Sequence, residues 1–197
     1  MHRFIRLLYA SDPELAAHGR RASLLATDIA KQMSLDTDSV GRLKVAAELH
    51  DIGKVFIPRD ILDEPGPLSE SQWVELRRHP MMGYELVRDR VPSEVAQIIL
   101  THHERIDGTG YPNAMAAASI PLEAKVLQVA DAVDAITSVR PYQPALPVDY
   151  AIDEMIRCAG TQFDMSVVEA IVQLSATELW LERRFGDIDS ILDEIAV

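Results

Sequence analysis

The segment QVADAVDAI at 128–136 limits the fold more than any other stretch of the chain. Asp131 and Asp134 stand three residues apart between Val129, Ala130, Val133 and Ile136. The surrounding run, from Pro121 to about Ser138, has helical periodicity, so both carboxylates share a face. Ionised carboxylates buried among apolar side chains are expensive unless they are paired. A fold that accepts this helix must therefore bring metal ions or arginines to that face.

The rest of the chain is punctuated as helices and loops. Ser11 or Asp12 before Pro13 reads as an N-cap with proline at the first helical position, followed by a stripe of Leu15, Leu24, Leu25, Ile29 and Met33. A second helix is expected from Asp38 or Ser39 through Val40, Leu43, Ala47 and His50 to a stop at Gly53. Residues 58–68 hold three prolines and a glycine and read as a loop. Ser69 and Gln72 fit a capping box for a helix ending at His79, and Pro92–Ser93 opens another ending near His103. Residues 104–120 form the longest irregular stretch, and further helices are expected near 149–158, 164–174 and 176–195. No segment alternates as a strand would. The expected fold is all-α, a helical bundle.

Composition narrows the function. The net charge of −12 argues against a duplex nucleic-acid binder, which would show a basic face. An anionic ligand then needs a local source of positive charge, such as bound metal. One cysteine, Cys158, allows neither an intramolecular disulfide nor a thiolate cluster, and it reads as core packing. No apolar run is long enough to cross a bilayer, and the N-terminus lacks the pattern of a secretory signal, so no membrane role and a cytoplasmic location are expected.

Five of the six histidines lie beside loops or acidic residues. His50 precedes Asp51 in LHDIGKVFIP at 49–58, with Lys54 one turn on. His102 and His103 precede Glu104 and the turn-rich stretch Asp107 to Pro112. Glu14 and His18 stand at i and i+4. An isolated HD dipeptide or His-His pair has an ordinary reading, such as a solvated helix terminus. Together, Glu14, His18, His50, Asp51, His79, His102, His103 and Asp131 make a set of nitrogen and oxygen donors too large for one ion. Two or three divalent ions would suit it, of iron, manganese, zinc or nickel rather than calcium, and a six-coordinate arrangement would favour iron or manganese over structural tetrahedral zinc.

Several motifs in order carry a family resemblance: HDIGK at 50–54, RHPMMGYEL at 78–86, HHERIDGTGYP at 102–112, IPLEAKVLQVADAVDAITSVRPY at 120–142 and GTQFD at 160–164. The chain resembles the HD-GYP domains of the HD phosphohydrolase superfamily over residues 13–174. Residues 1–12 would be an N-terminal arm and 175–197 a helical extension packed on the domain. The resemblance implies an HD-domain bundle that hydrolyses cyclic di-GMP to the linear dinucleotide pGpG or onward to GMP. It assigns His18, His50, Asp51 and Asp131 to the core metal ligands, with Asp51 bridging. It assigns His79, His102 and His103 to a second ion and Glu14 to a third. Lys54 matches the lysine that contacts the scissile phosphate, while Arg140, Tyr142, Tyr111 and Gly110 fall where such domains frame their substrate. Catalysis is thereby expected of Asp51 and Lys54.

The run NAMAAAS after the GYP loop and Gln143 after RPY depart from the usual pattern, as does Met165 after GTQFD, and none of them is an assigned ligand. Asp134 is expected either to orient a histidine ligand or to pair with an arginine, and Tyr111 either to stack on a base or to pack its loop. A cyclic di-GMP receptor without turnover and a phosphohydrolase of another nucleotide are the alternatives. A homodimer and a cyclase-domain protein are the expected partners. The chain is either a stand-alone unit or part of a larger regulator.

Overall fold

The computed structural model describes residues 12–139 and 144–177, together with Trp180 and Arg184. The described residues form an all-α bundle with one isolated bridge, Ala159 to Phe163, and no strand. Its helices are α1 (Pro13–Gln32), α2 (Thr37–Leu49), α3 (Arg59–Leu62), α4 (Glu70–Leu76), α5 (His79–Val87), α6 (Ser93–Thr101), α7 (Leu122–Thr137), α8 (Val148–Cys158) and α9 (Met165–Ser175). Short 3-10 turns at Ile52–Phe56 and Ala117–Ser119 interrupt the loops. No helix among these residues is long and apolar enough to cross a membrane.

Helix α1 is the axis of the bundle and packs on both α2 and α7. Asp12, in extended backbone, caps it by accepting from Leu15 N at 2.9 Å, and Pro13 fills the first turn. Its buried face consists mostly of small residues, Ala16, Gly19, Ala22, Ser23, Ala26 and Ala30, with Leu25 and Ile29. Of the expected stripe, Leu15, Leu24 and Met33 are only partly buried. Small side chains on this face let α2 come close, and ideal Cβ geometry at Gly19 would stand 3.1 Å from Glu48 O. That approach brings the end of α2 beside His18.

Two boundaries differ from expectation. Helix α2 stops at Leu49 and the chain tightens into the 3-10 turn, so Gly53 is no helix cap. A Cβ on Gly53 would lie 2.0 Å from His79 O and 2.6 Å from Gly83 N, so glycine is required where the turn crosses α5. His79 does not end a helix. Helix α4 closes at Leu76, and His79 opens α5, with Pro80 in the first turn where its missing N–H costs nothing. The Ser69–Gln72 capping box is present at the start of α4.

The apolar core runs through the bundle from Leu25 and Ile29 to Leu43, Ile98, Leu127 and Ile171. Trp180 joins it, and its indole N–H donates to Asp28 Oδ2 at 2.8 Å. Arg184 clasps the same carboxylate through Nε and Nη2 at 2.5 and 2.9 Å. The expected arm at 1–11 and most of the expected run at 176–195 lie outside the described residues. Trp180→Ala is expected to lower the unfolding free energy by about 3 kcal/mol, measured by urea denaturation. A change within experimental error would show that Trp180 does not belong to the cooperative core.

Candidate metal centre

The histidines reach one place from several elements. His18 comes from the buried face of α1, His50 from the C-terminus of α2, His79 from the first turn of α5, and His102 and His103 from the end of α6. Asp51 follows His50, and Asp131 projects from α7. The donor atoms fall into two groups, each within 4.8 Å: His18, His50 and Asp51, and then Asp51, His79, His102 and His103. Asp51 belongs to both. Asp131 joins the first group, its Oδ1 lying 2.9 Å from His18 Nε2 and 3.6 Å from His50 Nε2.

Hydrogen bonds fix the direction of the rings. His50, His79 and His102 each place Nδ1 2.7–2.8 Å from the carbonyl three residues earlier, on Ala47, Leu76 and Ile99. A carbonyl can only accept, so Nδ1 carries the proton and Nε2 points to the centre. His18 places Nδ1 2.6 Å from Asp134 Oδ2, and Arg21 holds that carboxylate from the other side at 2.8 and 3.1 Å. Asp134 thus contacts a histidine and an arginine at once.

The electrostatics are those of a cluster that needs cations. His50 is 1% exposed, yet its Nε2 has no hydrogen-bond partner among the described residues, and Asp51 Oδ1 has none either. His79 Nε2 and His102 Nε2 face each other at 3.4 Å although both rings already donate through Nδ1. Burial alone pushes the His50 imidazolium down, but Asp51 and Asp131 outweigh it and raise its pKa to about 10. Burial and neighbouring histidines hold His102 well below its usual range and His103 at about 3. Burial opposes ionisation of Asp51, but Lys54 and His50 overcome it and hold the carboxyl well below normal. Facing lone pairs and orphaned buried atoms fit divalent ions bound between them.

Lys54 places Nζ 2.7 Å from Asp51 Oδ2, at the edge of the cluster. Glu14 is exposed on α1 and lies in neither donor group. Tyr111 stacks on His103 with centroids 4.7 Å apart, which places its ring against the donor cluster. Gly110 has a plain steric reason, because a Cβ there would lie 2.3 Å from Arg105 N and 2.5 Å from Glu104 Cα. Arg140 and Tyr142 lie outside the described residues.

Sequence reasoning gave Glu104 no role. It is 1% exposed and clamps the Gly-Tyr-Pro loop, its two oxygens accepting from Asn113 N at 2.7 Å and Met115 N at 2.9 Å. Gln128 of α7 donates to the Glu104 carbonyl at 2.7 Å and ties this clamp to the central helix. Arg21 was missed as well; its spacing of three from His18, matching that of Asp134 from Asp131, was the available signal.

Comparison with known proteins shows the family to which the chain is similar. The family described as HD domain matches residues 3–167. The cyclic di-GMP phosphodiesterase response regulator RpfG of Xanthomonas campestris pv. campestris is 38% identical over 88% of this chain and 47% of its own length. The 3'3'-cGAMP-specific phosphodiesterase 3 of Vibrio cholerae is 34% identical over 85% of this chain and 37% of its own length. The chain therefore spans about half the length of such relatives, or less. Among solved structures, Bd1817, a HDG"Y"P protein from Bdellovibrio bacteriovorus, superposes with a TM-score of 0.70 at 21% identity, covering 84% of this chain and 54% of that one.

Glu104→Gln replaces one acceptor oxygen with an amide that cannot receive a backbone N–H. Amide hydrogen exchange at Asn113 and Met115 is expected to accelerate by about tenfold or more while the helices stay protected. Unchanged exchange would mean that the loop holds its shape without the clamp.

Proposed function

Because the chain belongs to the HD domain family and carries the HD-GYP motifs, we propose that it is a metal-dependent phosphodiesterase that hydrolyses cyclic di-GMP to pGpG or onward to GMP. The observation that carries this reading is the shared Asp51, a carboxylate common to two adjoining groups of nitrogen donors. Two adjacent ions held on one carboxylate suit phosphodiester cleavage better than a single structural ion does.

His18, His50, Asp51 and Asp131 would hold one ion, and Asp51, His79, His102 and His103 the other. Glu14 could serve a third ion only by turning inward from its exposed position on α1. Imidazole and carboxylate donors without sulfur favour iron or manganese. Bound ions would supply Lewis acidity and lower the pKa of water near the scissile phosphorus.

The chain's own residues do the positioning. Asp134 accepts from His18 Nδ1 and keeps that ring aimed; burial opposes its ionisation, but the bonds from His18 and Arg21 outweigh it and hold the carboxyl below its usual range. The Lys54 ammonium beside Asp51 is placed to receive negative charge that grows on the phosphate. Gly110, Tyr111, Arg140 and Tyr142 complete the substrate contacts in this reading. The catalytic unit is residues 13–174, with 175–197 packed on it, which the Asp28 clasp on Trp180 and Arg184 supports. We place the activity in the cytoplasm, where a nucleotide messenger would be found, with a second copy of the chain and a cyclase-domain protein as partners suggested by the family resemblance. Another cyclic dinucleotide is the second reading, favoured by the relative named for 3'3'-cGAMP.

Protein with quantified metal, supplemented anaerobically with ferrous iron or manganese, is expected to convert cyclic di-GMP to linear product on chromatography. His50→Ala should lower turnover by about 10²-fold or more and reduce metal content. Preference for 3'3'-cGAMP would establish the second reading, and binding without product would establish a receptor. Asp134→Asn is expected to weaken metal affinity about 10–100-fold in a chelator competition, with the fold retained. Undiminished affinity would remove Asp134 from the support of His18.

A further inference from the structure

Resting on the phosphodiesterase reading, we propose that Arg77, held between Trp73 and Tyr111, grips the phosphate of the cyclic dinucleotide that is not being cleaved, while the open face of Trp73 takes the adjoining purine. Arg77 ends α4, two residues before His79. Its guanidinium carbon lies 5.5 Å from the centroid of Tyr111 and 5.6 Å from that of Trp73. Tyr111 in turn stacks on His103. The guanidinium is thus one aromatic ring removed from the donor cluster.

Carboxylates occupy several of the other arginines, and Arg77 is held differently. In this acidic chain Arg78 pairs with Glu75, Arg88 with Glu85, Arg105 with Asp107 and Arg157 with Glu154. Arg77 is exposed and has no carboxylate partner among the described residues. Two aromatic rings hold it instead, which limits its rotamers while leaving its N–H donors for a ligand. Trp73, itself on α4, remains 43% exposed, so part of its indole is open to a ligand.

Substrate chemistry supplies the need. A cyclic dinucleotide carries two phosphates across one ring, and only one can sit at the donor cluster and Lys54 at a time. The second falls to one side and keeps its full charge, in a protein whose net charge is −12. A preorganised guanidinium beside the cluster is the group suited to it. A purine attached to that phosphate would find a sequence-tolerant stacking face in Trp73.

The test compares the metal-loaded wild type with Arg77→Ala, Arg77→Lys and Trp73→Ala, on cyclic di-GMP and on bis(p-nitrophenyl) phosphate, which has a single phosphate. Arg77→Ala should raise KM for cyclic di-GMP about tenfold, with a much smaller change on the single-phosphate substrate and the same metal content. Arg77→Lys should recover part of the loss, and Trp73→Ala should raise KM about fivefold. Unchanged KM in Arg77→Ala, with an active wild type, overturns this assignment and leaves the phosphodiesterase reading intact. Equal losses of kcat on both substrates, or lost metal, would show that Arg77 only props Tyr111 and His103, and would overturn it as well. A fully metallated wild type that does not turn over cyclic di-GMP overturns both.

Discussion

Everything in this structure answers to the burial of Asp51. A carboxylate in the interior costs several kcal/mol unless positive charge meets it. Here His18, His50, His79 and Lys54 all approach it within 4 Å. Those groups come from α1, the end of α2, the start of α5 and the 3-10 turn, so the bundle's topology is the arrangement that delivers them. The small residues on α1 and the bare Gly53 are further consequences, because each lets backbones approach closely enough for side chains to reach the same carboxylate.

A second layer keeps the first in place. Asp134 and Arg21 aim His18, and Tyr111 backs His103. Glu104 fastens the loop that carries Tyr111, and Gln128 fastens Glu104 to α7. The central helix therefore contributes Asp131 to the donors, Asp134 to their orientation and Gln128 to the loop. These polar residues, which at first look misplaced in an apolar helix, all face this site.

Much of this was legible in the sequence. The all-α class, the boundaries of α7 and the capping box of α4 followed from periodicity and cap chemistry, which are local. The five histidines, Asp51 and Asp131 converge as their motifs implied. What the sequence hid was non-local. Gly53 looked like a helix stop because a glycine near a helix end usually is one, and only the passage of α5 shows why a side chain is excluded there. His79 looked terminal because Pro80 follows it, and proline serves equally well in a first turn. Glu14 stood in helical register with His18, yet one turn was enough to leave it outside the bundle. Glu104 had no periodic signature, since its partners are loop amides nine and eleven residues away.

The bonds from Nδ1 of His50, His79 and His102 to the carbonyl three residues back have a consequence of their own. Each such carbonyl belongs to the last turn of a helix. The aim of each ring is therefore set by how tightly that segment is wound. A helix end that frays by one turn would release its carbonyl and swing its imidazole in the same motion. Local melting of a helix end and loosening of the centre are thus one event, and any force that tightens the ends of α2, α4 or α6 would also tighten the grip of the whole cluster.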